Sequence, residues 1–207
     1  MTFLYESPIS VETDADIAPV WRAAAIYMRA RKNDIHVPIS YAYARRLTAA
    51  HPEADALVVS LAIVLHDIGW HSIDEGRILN EAFGPDMMES DIRILHEKEG
   101  VRLATPLLRN LGYDAAIIQE VCEIIDGHDT RPDPISLNDS LVKDADKLWR
   151  FTPTGVAVAC DWFHKTPTDY MARLEKQVLP TLFREVSRSW ARDDLAASRT
   201  LLQADLI

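Results

Sequence analysis

Four histidines and two aspartates are spaced so that they could build one site: His36, the adjacent pair His66-Asp67, His96, His128 and Asp146. Neutral imidazole and ionised carboxylate are the ligands that first-row divalent metals accept, and such a site draws them from several elements. Adjacent residues on a helix point about 100° apart, so one metal rarely takes both His66 and Asp67 from mid-helix. At a helix end beside Gly69 the two can aim at a shared cavity. Asp67 has two oxygens and can bridge two ions, leaving His66 on one of them. Two cations joined by a carboxylate also hold a water or hydroxide of lowered pKa and stabilise phosphoryl oxygens. A metal-dependent enzyme is the reading these residues support. His66-Asp67 alone would equally suit a buried histidine paired with a helix-end carboxylate.

The elements that must position these residues read as helices, because apolar residues recur at helical rather than alternating spacing. A first helix is expected over about 14–30, with Ile17, Val20, Trp21, Ala24 and Met28 on one face. A second starts near His36, with Pro38 in its first turn, and ends at His51-Pro52. The third, Glu53 to Ile68, is apolar almost all round and is expected to be the central buried helix, stopped by Gly69. Residues 70–89 break the pattern and read as a loop with one short helix, a candidate lid. Helices are then expected over 91–111, 114–125 and from Ser136 or Asn138 to about Phe151. Two or three more follow, broken near Pro167 and Pro180. No segment has the pattern of a strand. The fold expected is all-α, a compact helical bundle spanning 1–207 as one domain.

Apolar residues make up 48% of the chain, enough for a buried core, and the mean hydropathy is near zero. The formal charge of −10 repels phosphate backbones, so no nucleic acid polymer is expected as a partner. A small anionic substrate remains open, held by a local basic pocket or by metal ions. The longest apolar stretch, 56–65, is too short to cross a bilayer, so no membrane partner is expected. Cys122 and Cys160 are too few for a disulfide framework, and the N-terminus lacks the basic and apolar regions of a signal peptide. A reducing cytoplasm is the expected setting. The acidic, helical C-terminal third leaves a homodimer open.

The order H…HD…H…H…D resembles the HD-domain superfamily of metal-dependent phosphohydrolases. Ile35-His36-Val37-Pro38 opens a helix with a histidine, and Val64-Leu65-His66-Asp67-Ile68-Gly69 is close to the family's core signature. His96-Glu97-Lys98-Glu99-Gly100 and Gly127-His128-Asp129 resemble the added histidines of its binuclear subgroup, and Lys143-Asp144-Ala145-Asp146-Lys147-Leu148 carries the closing aspartate. The resemblance covers roughly 34–150. It implies that His36, His66, Asp67 and Asp146 bind one divalent metal, and that Asp67, His96 and His128 bind a second. Iron or manganese is the metal expected, with His66 and Asp67 at the catalytic centre. It prefers Asp146 to Asp144, which would sit about 200° away on the helix. It implies hydrolysis of a small, phosphorylated substrate, an ester or a nucleotide. A minority of similar binuclear members are mixed-valent di-iron oxygenases that cleave carbon–carbon or carbon–phosphorus bonds in small polyols or phosphonates. A metal- or ligand-binding regulatory module without turnover is a third reading.

Cations near these positions are candidates for gripping an anionic group. Lys147 and Arg102 are taken as substrate-binding, with His71 beside them in the expected lid; Lys98, Arg131 and Arg77 are further candidates. Trp70, next to the His-Asp pair, could stack on a ring. Trp21, Trp149, Trp162 and Trp190 are expected to pack in the core. Asp129 is expected to cap a turn or to orient a ligand.

Overall fold

The computed structural model describes residues 10–12, 14–82 and 90–202. Among the described residues ten α-helices follow one another: α1 (Ala18–Ala24), α2 (Asn33–Ala50), α3 (Ala56–Leu65), α4 (Glu75–Arg77), α5 (Ile92–Asn110), α6 (Ala115–Ile125), α7 (Leu137–Leu148), α8 (Pro153–Phe163), α9 (Pro167–Arg173) and α10 (Glu185–Leu201). Among the described residues there is no strand. The all-α expectation holds.

α3 is the central element. Every residue from Val58 to Leu65 is buried, and the helix packs against α2, α6 and α7. Full burial of a Leu, Ile or Val side chain contributes about 1.5–3 kcal/mol, so this apolar cylinder is held by its surroundings rather than by one amphipathic stripe. Asp55 caps it, its carboxylate accepting the backbone N–H groups of Leu57 and Val58. The helix is shorter at both ends than expected. It closes at Leu65, Asp67 leaves helical geometry at φ −104°, ψ 4°, and a 3-10 turn runs over Ile68–Ser72.

Gly69 does not act as a left-handed stop. It lies inside that turn, and a Cβ there would meet the His96 carbonyl oxygen at 1.9 Å and the Gly100 nitrogen at 2.4 Å. The glycine lets two backbones touch, which brings the His-Asp pair onto α5.

The expected first helix is broken. After α1 come 3-10 turns at Ala25–Tyr27 and Ala30–Lys32, and Arg31 (φ 48°) and Lys32 (φ 58°) are both left-handed. That conformation costs roughly 1–2 kcal/mol for a residue with a Cβ, so the chain beyond must over-determine it. α2 therefore begins at Asn33, three residues early, and Pro38 falls in its second turn.

Residues 70–82 are more ordered than a loop, with α4 running into a π-helical turn over Ile78–Ala82. A small second core of Trp70, Ile73, Ile78, Ala82 and Ile92 lies beneath it. The rest of the expected lid, 83–89, lies outside the described residues. Ser136 caps α7 by accepting the Asp139 N–H, while Asn138 instead bridges Asp55 and Glu120. α7 gives way to a 3-10 turn at Trp149–Phe151, and threonines cap α8 and α9 just ahead of Pro153 and Pro167. α10 packs across α7 and α8. No single helix among the described residues is long and apolar enough to cross a membrane.

Candidate functional site

His36 comes from the first turn of α2, His66 and Asp67 from the end of α3, His96 from α5, His128 from the turn after α6, and Asp146 from α7. Six side chains from five segments meet in one buried cluster. Asp67 divides it. Its Oδ1 lies 3.5 Å from Nε2 of both His96 and His128, while its Oδ2 lies 3.4 Å from His36 Nδ1 and 3.7 Å from His66 Nε2. Asp146 faces the second group only, with Oδ1 2.9 Å from His36 Nε2 and 3.4 Å from His66 Nε2. His96 and His128 approach each other at 3.3 Å between their Nε2 atoms. Among the described residues, His36, His66 and Asp146 offer ligand atoms within 4.8 Å of one another, as do His66, Asp67 and His128.

The ring orientations fit a metal. His66 Nδ1 donates to the Ile63 carbonyl at 2.8 Å, and its buried Nε2 has no hydrogen-bond partner. A ring anchored through Nδ1 turns its Nε2 into the cluster, which is how a metal-ligating histidine is held. His128 repeats the arrangement, with Nδ1 donating to the Ile125 carbonyl at 2.9 Å. His96 is aligned by stacking, its ring 4.2 Å from Trp70 at 12°, and His36 stacks on Trp149 at 4.6 Å and 22°.

Charge points the same way. Burial and the neighbouring His128 push His96 down to about 3, leaving it neutral. Burial opposes charge on His128 too, but its hydrogen bond to Asp67 and the nearby carboxylates win and raise it to about 9. Burial would raise Asp67 and Asp146, yet the facing imidazoles, with Arg150 beside Asp146, hold both well below the usual carboxylate range. The cluster calls for positive charge between its oxygens and nitrogens, a demand that a divalent cation meets.

Three contacts outside the cluster fix the turn that carries His128. The fully buried Glu97 carboxylate accepts the N–H groups of Asp129 (2.8 Å) and Thr130 (2.9 Å) and the Thr130 hydroxyl (2.6 Å). Lys143, also buried, donates to the carbonyls of Gly127, His128 and Arg131. Arg93 forks onto the Asp129 carboxylate at 2.7 and 2.8 Å, which holds that acid below its ordinary value despite burial. Asp129 thus anchors Arg93, and Asp144 points away from the cluster to accept the N–H groups of Phe183 and Arg184.

The cluster opens onto a cavity of about 650 Å³. Eight arginines and lysines line it against three aspartates, in a protein whose net charge is −10. Of the residues expected to bind substrate, Lys147 lines this cavity, donating to the Thr181 carbonyl at 3.1 Å. Arg102 and His71 do not. Arg102 is exposed and tied to Glu99 and Ser72, and His71 turns outward with its ring edge-on to Tyr27 at 5.1 Å. Helical rotation is the reason: Trp70, one residue before His71, takes the inward position and donates its indole N–H to Asp67 Oδ1 at 3.0 Å.

Lys98 and Arg77 also lie off the cavity, whereas Arg131 lines it. Trp149 and Trp162 are cavity walls rather than plain core residues. Sequence reasoning missed Arg31, Arg93, Lys143 and Arg150. Arg93 lies three residues before His96 and Arg150 four after Asp146, so helical spacing from the ligands was the signal available for those two. Arg31 had no such signal.

No curated protein and no solved structure matches the chain. A family model described as HD domain matches residues 34–150, the span that runs from α2 through the whole imidazole–carboxylate cluster to Arg150. Proteins with this domain are commonly metal-dependent hydrolases, and over half of the present sequence lies in the match. The chain belongs to the HD domain family.

Proposed function

We propose that this protein is a metal-dependent phosphohydrolase acting on a small phosphate ester or a nucleotide. His36, His66, Asp67 and Asp146 would hold one divalent ion, and Asp67, His96 and His128 a second. Iron and manganese both suit this mixed nitrogen and oxygen donor set. When bound, such a pair supplies an acidified water as nucleophile and positive charge for the phosphoryl oxygens.

The observation that carries the reading is the cationic cavity ending at the twin-faced Asp67 carboxylate. A net-acidic protein concentrates cations in this cavity, which favours an anionic substrate with its charged end directed at the cluster. Arg150, ion-paired with Asp146 at 3.5 Å, stands at the cluster's edge where a phosphoryl oxygen would arrive. Trp70 holds Asp67 by its Oδ1, and Ile63 and Ile125 hold His66 and His128 by their carbonyls, so these ligands are pre-set before substrate enters. Cys122 and Cys160 are free thiols, in keeping with a reducing cytoplasm.

The deciding experiment is anaerobic metal analysis followed by assay on p-nitrophenyl phosphate and nucleotides, with and without oxygen. Two ions per chain and oxygen-independent phosphate release are expected. Two irons without phosphate release, together with oxygen uptake on a phosphonate or polyol, would replace this reading with an oxygenase.

A further inference from the structure

The cavity of about 650 Å³ is larger than a phosphoryl group fills, and it falls in the range of roughly 300–1,000 Å³ that houses a small organic ligand. One wall is the imidazole–carboxylate cluster with its cations. The other comes from α8, α9 and the turns that follow them up to Phe183, and its character differs. Trp162, Phe163, Tyr170, Leu174, Val178 and Phe183 give it a surface of rings and branched aliphatic side chains.

The rings form a track leading out from the cluster. Trp149 stacks on His36 and meets Trp162 edge-on at 5.9 Å and 71°. Phe163 and Tyr170 stack at 6.2 Å and 16°. Lys147 joins the two walls: it follows Asp146 on α7, its amine donates to the Thr181 carbonyl, and it lies 5.0 Å from the centroid of the Phe183 ring.

Neutral groups that would recognise substrate hydroxyls are scarce. Among the described residues lining the cavity, the hydroxyl and amide side chains are those of Tyr170, Gln177 and Thr181. Gln177 accepts from Arg173 Nε at 3.2 Å, and the Thr181 hydroxyl donates to the Val178 carbonyl at 2.8 Å. A polyhydroxylated group placed against this wall would lose water without gaining partners, whereas a ring would bury apolar area there.

We propose that the organic part of the substrate is an aromatic group seated against the wall from Trp162 to Phe183, with the phosphoryl group at the cluster. This wall selects aryl phosphates over polyol phosphates. The proposal rests on the phosphohydrolase reading for the identity of the anion and adds the class of the organic group.

The test is calorimetric titration of manganese-loaded protein with three phosphonates that share the anion and resist hydrolysis: methylphosphonate, phenylphosphonate and 2,3-dihydroxypropylphosphonate. Phenylphosphonate is expected to bind about ten- to a hundredfold more tightly than methylphosphonate, and the dihydroxypropyl compound no more tightly than methylphosphonate. Phe183→Ala and Phe163→Ala should each cut the phenyl-to-methyl ratio about three- to tenfold, with less loss in Phe183→Leu. The ratio compares two ligands on one variant, so a general change in folded fraction or metal content cancels. Alanine also keeps the Phe183 backbone N–H that Asp144 accepts. Equal affinity of wild type for methyl- and phenylphosphonate overturns the proposal, as does a phenyl preference that both alanine variants keep. Dihydroxypropylphosphonate binding as tightly as phenylphosphonate overturns it too, and so does failure of wild type to bind any of the three. If the phenyl preference is present and falls in either alanine variant, yet no phosphate ester is hydrolysed, the aromatic wall stands and the hydrolase reading falls.

Discussion

Trp70 and Asp67 are locked together inside one turn: the indole N–H donates to Asp67 Oδ1 at 3.0 Å while the same ring stacks on His96. One side chain thus orients both the carboxylate that faces two imidazole groups and one of the imidazoles. Trp70→Phe keeps a ring to stack but removes the donor. The expected outcome is about ten- to a hundredfold weaker binding of divalent metal, the scale found for partners that orient metal ligands. Metal titration of the apoprotein checks it, and unchanged affinity would show that the hydrogen bond is dispensable.

The buried Glu97 carboxylate satisfies three donors of the turn that carries His128. Glu97→Ala strands all of them, with an expected cost on the order of 3 kcal/mol or more in urea unfolding. Glu97→Gln retains a carbonyl for the two backbone N–H groups and should lose only about 1 kcal/mol. Equal losses in the two variants would mean that the cavity left by alanine, not the stranded donors, sets the cost.

Asp14 accepts the Tyr41 hydroxyl at 2.6 Å and the Asp16 N–H at 3.1 Å. Burial works against its ionised form, but these bonds and Arg45 prevail and hold it below the ordinary 3.8. A depressed acid contributes stability that is present above its unfolded value and is lost as pH falls through the folded one. Wild type should therefore lose stability more steeply below about pH 4 than Asp14→Asn. Melting temperatures across that range decide, and parallel curves would remove Asp14 from the acid limb.

A methyl group at Gly69 has nowhere to go, because the atoms it would meet are backbone of α5. Gly69→Ala should separate the turn at Ile68–Ser72 from that helix, at a cost on the order of 4 kcal/mol or more. Gly112 has φ +83° but open space around its Cβ position, so Gly112→Ala should cost only about 1 kcal/mol. Denaturation of the two variants side by side tests the contrast.

Residue type and order were enough to nominate His36, His66, Asp67, His96, His128 and Asp146, because metal ligation restricts which side chains serve. Helical periodicity likewise located α2, α3, α5, α6 and α7, since that signal is local to each segment. The walls of the cavity were not legible in this way. A helix turns about 100° per residue, so proximity in sequence to a ligand sent Arg102 and His71 to the wrong face. Arg31 depends on a two-residue left-handed turn, and Trp162 and Phe183 come from segments beyond the family match. The residue identities determined which chemistry the chain could support. Only tertiary packing decided which cations and rings surround it, because their meeting depends on helix faces and contacts between segments distant in sequence.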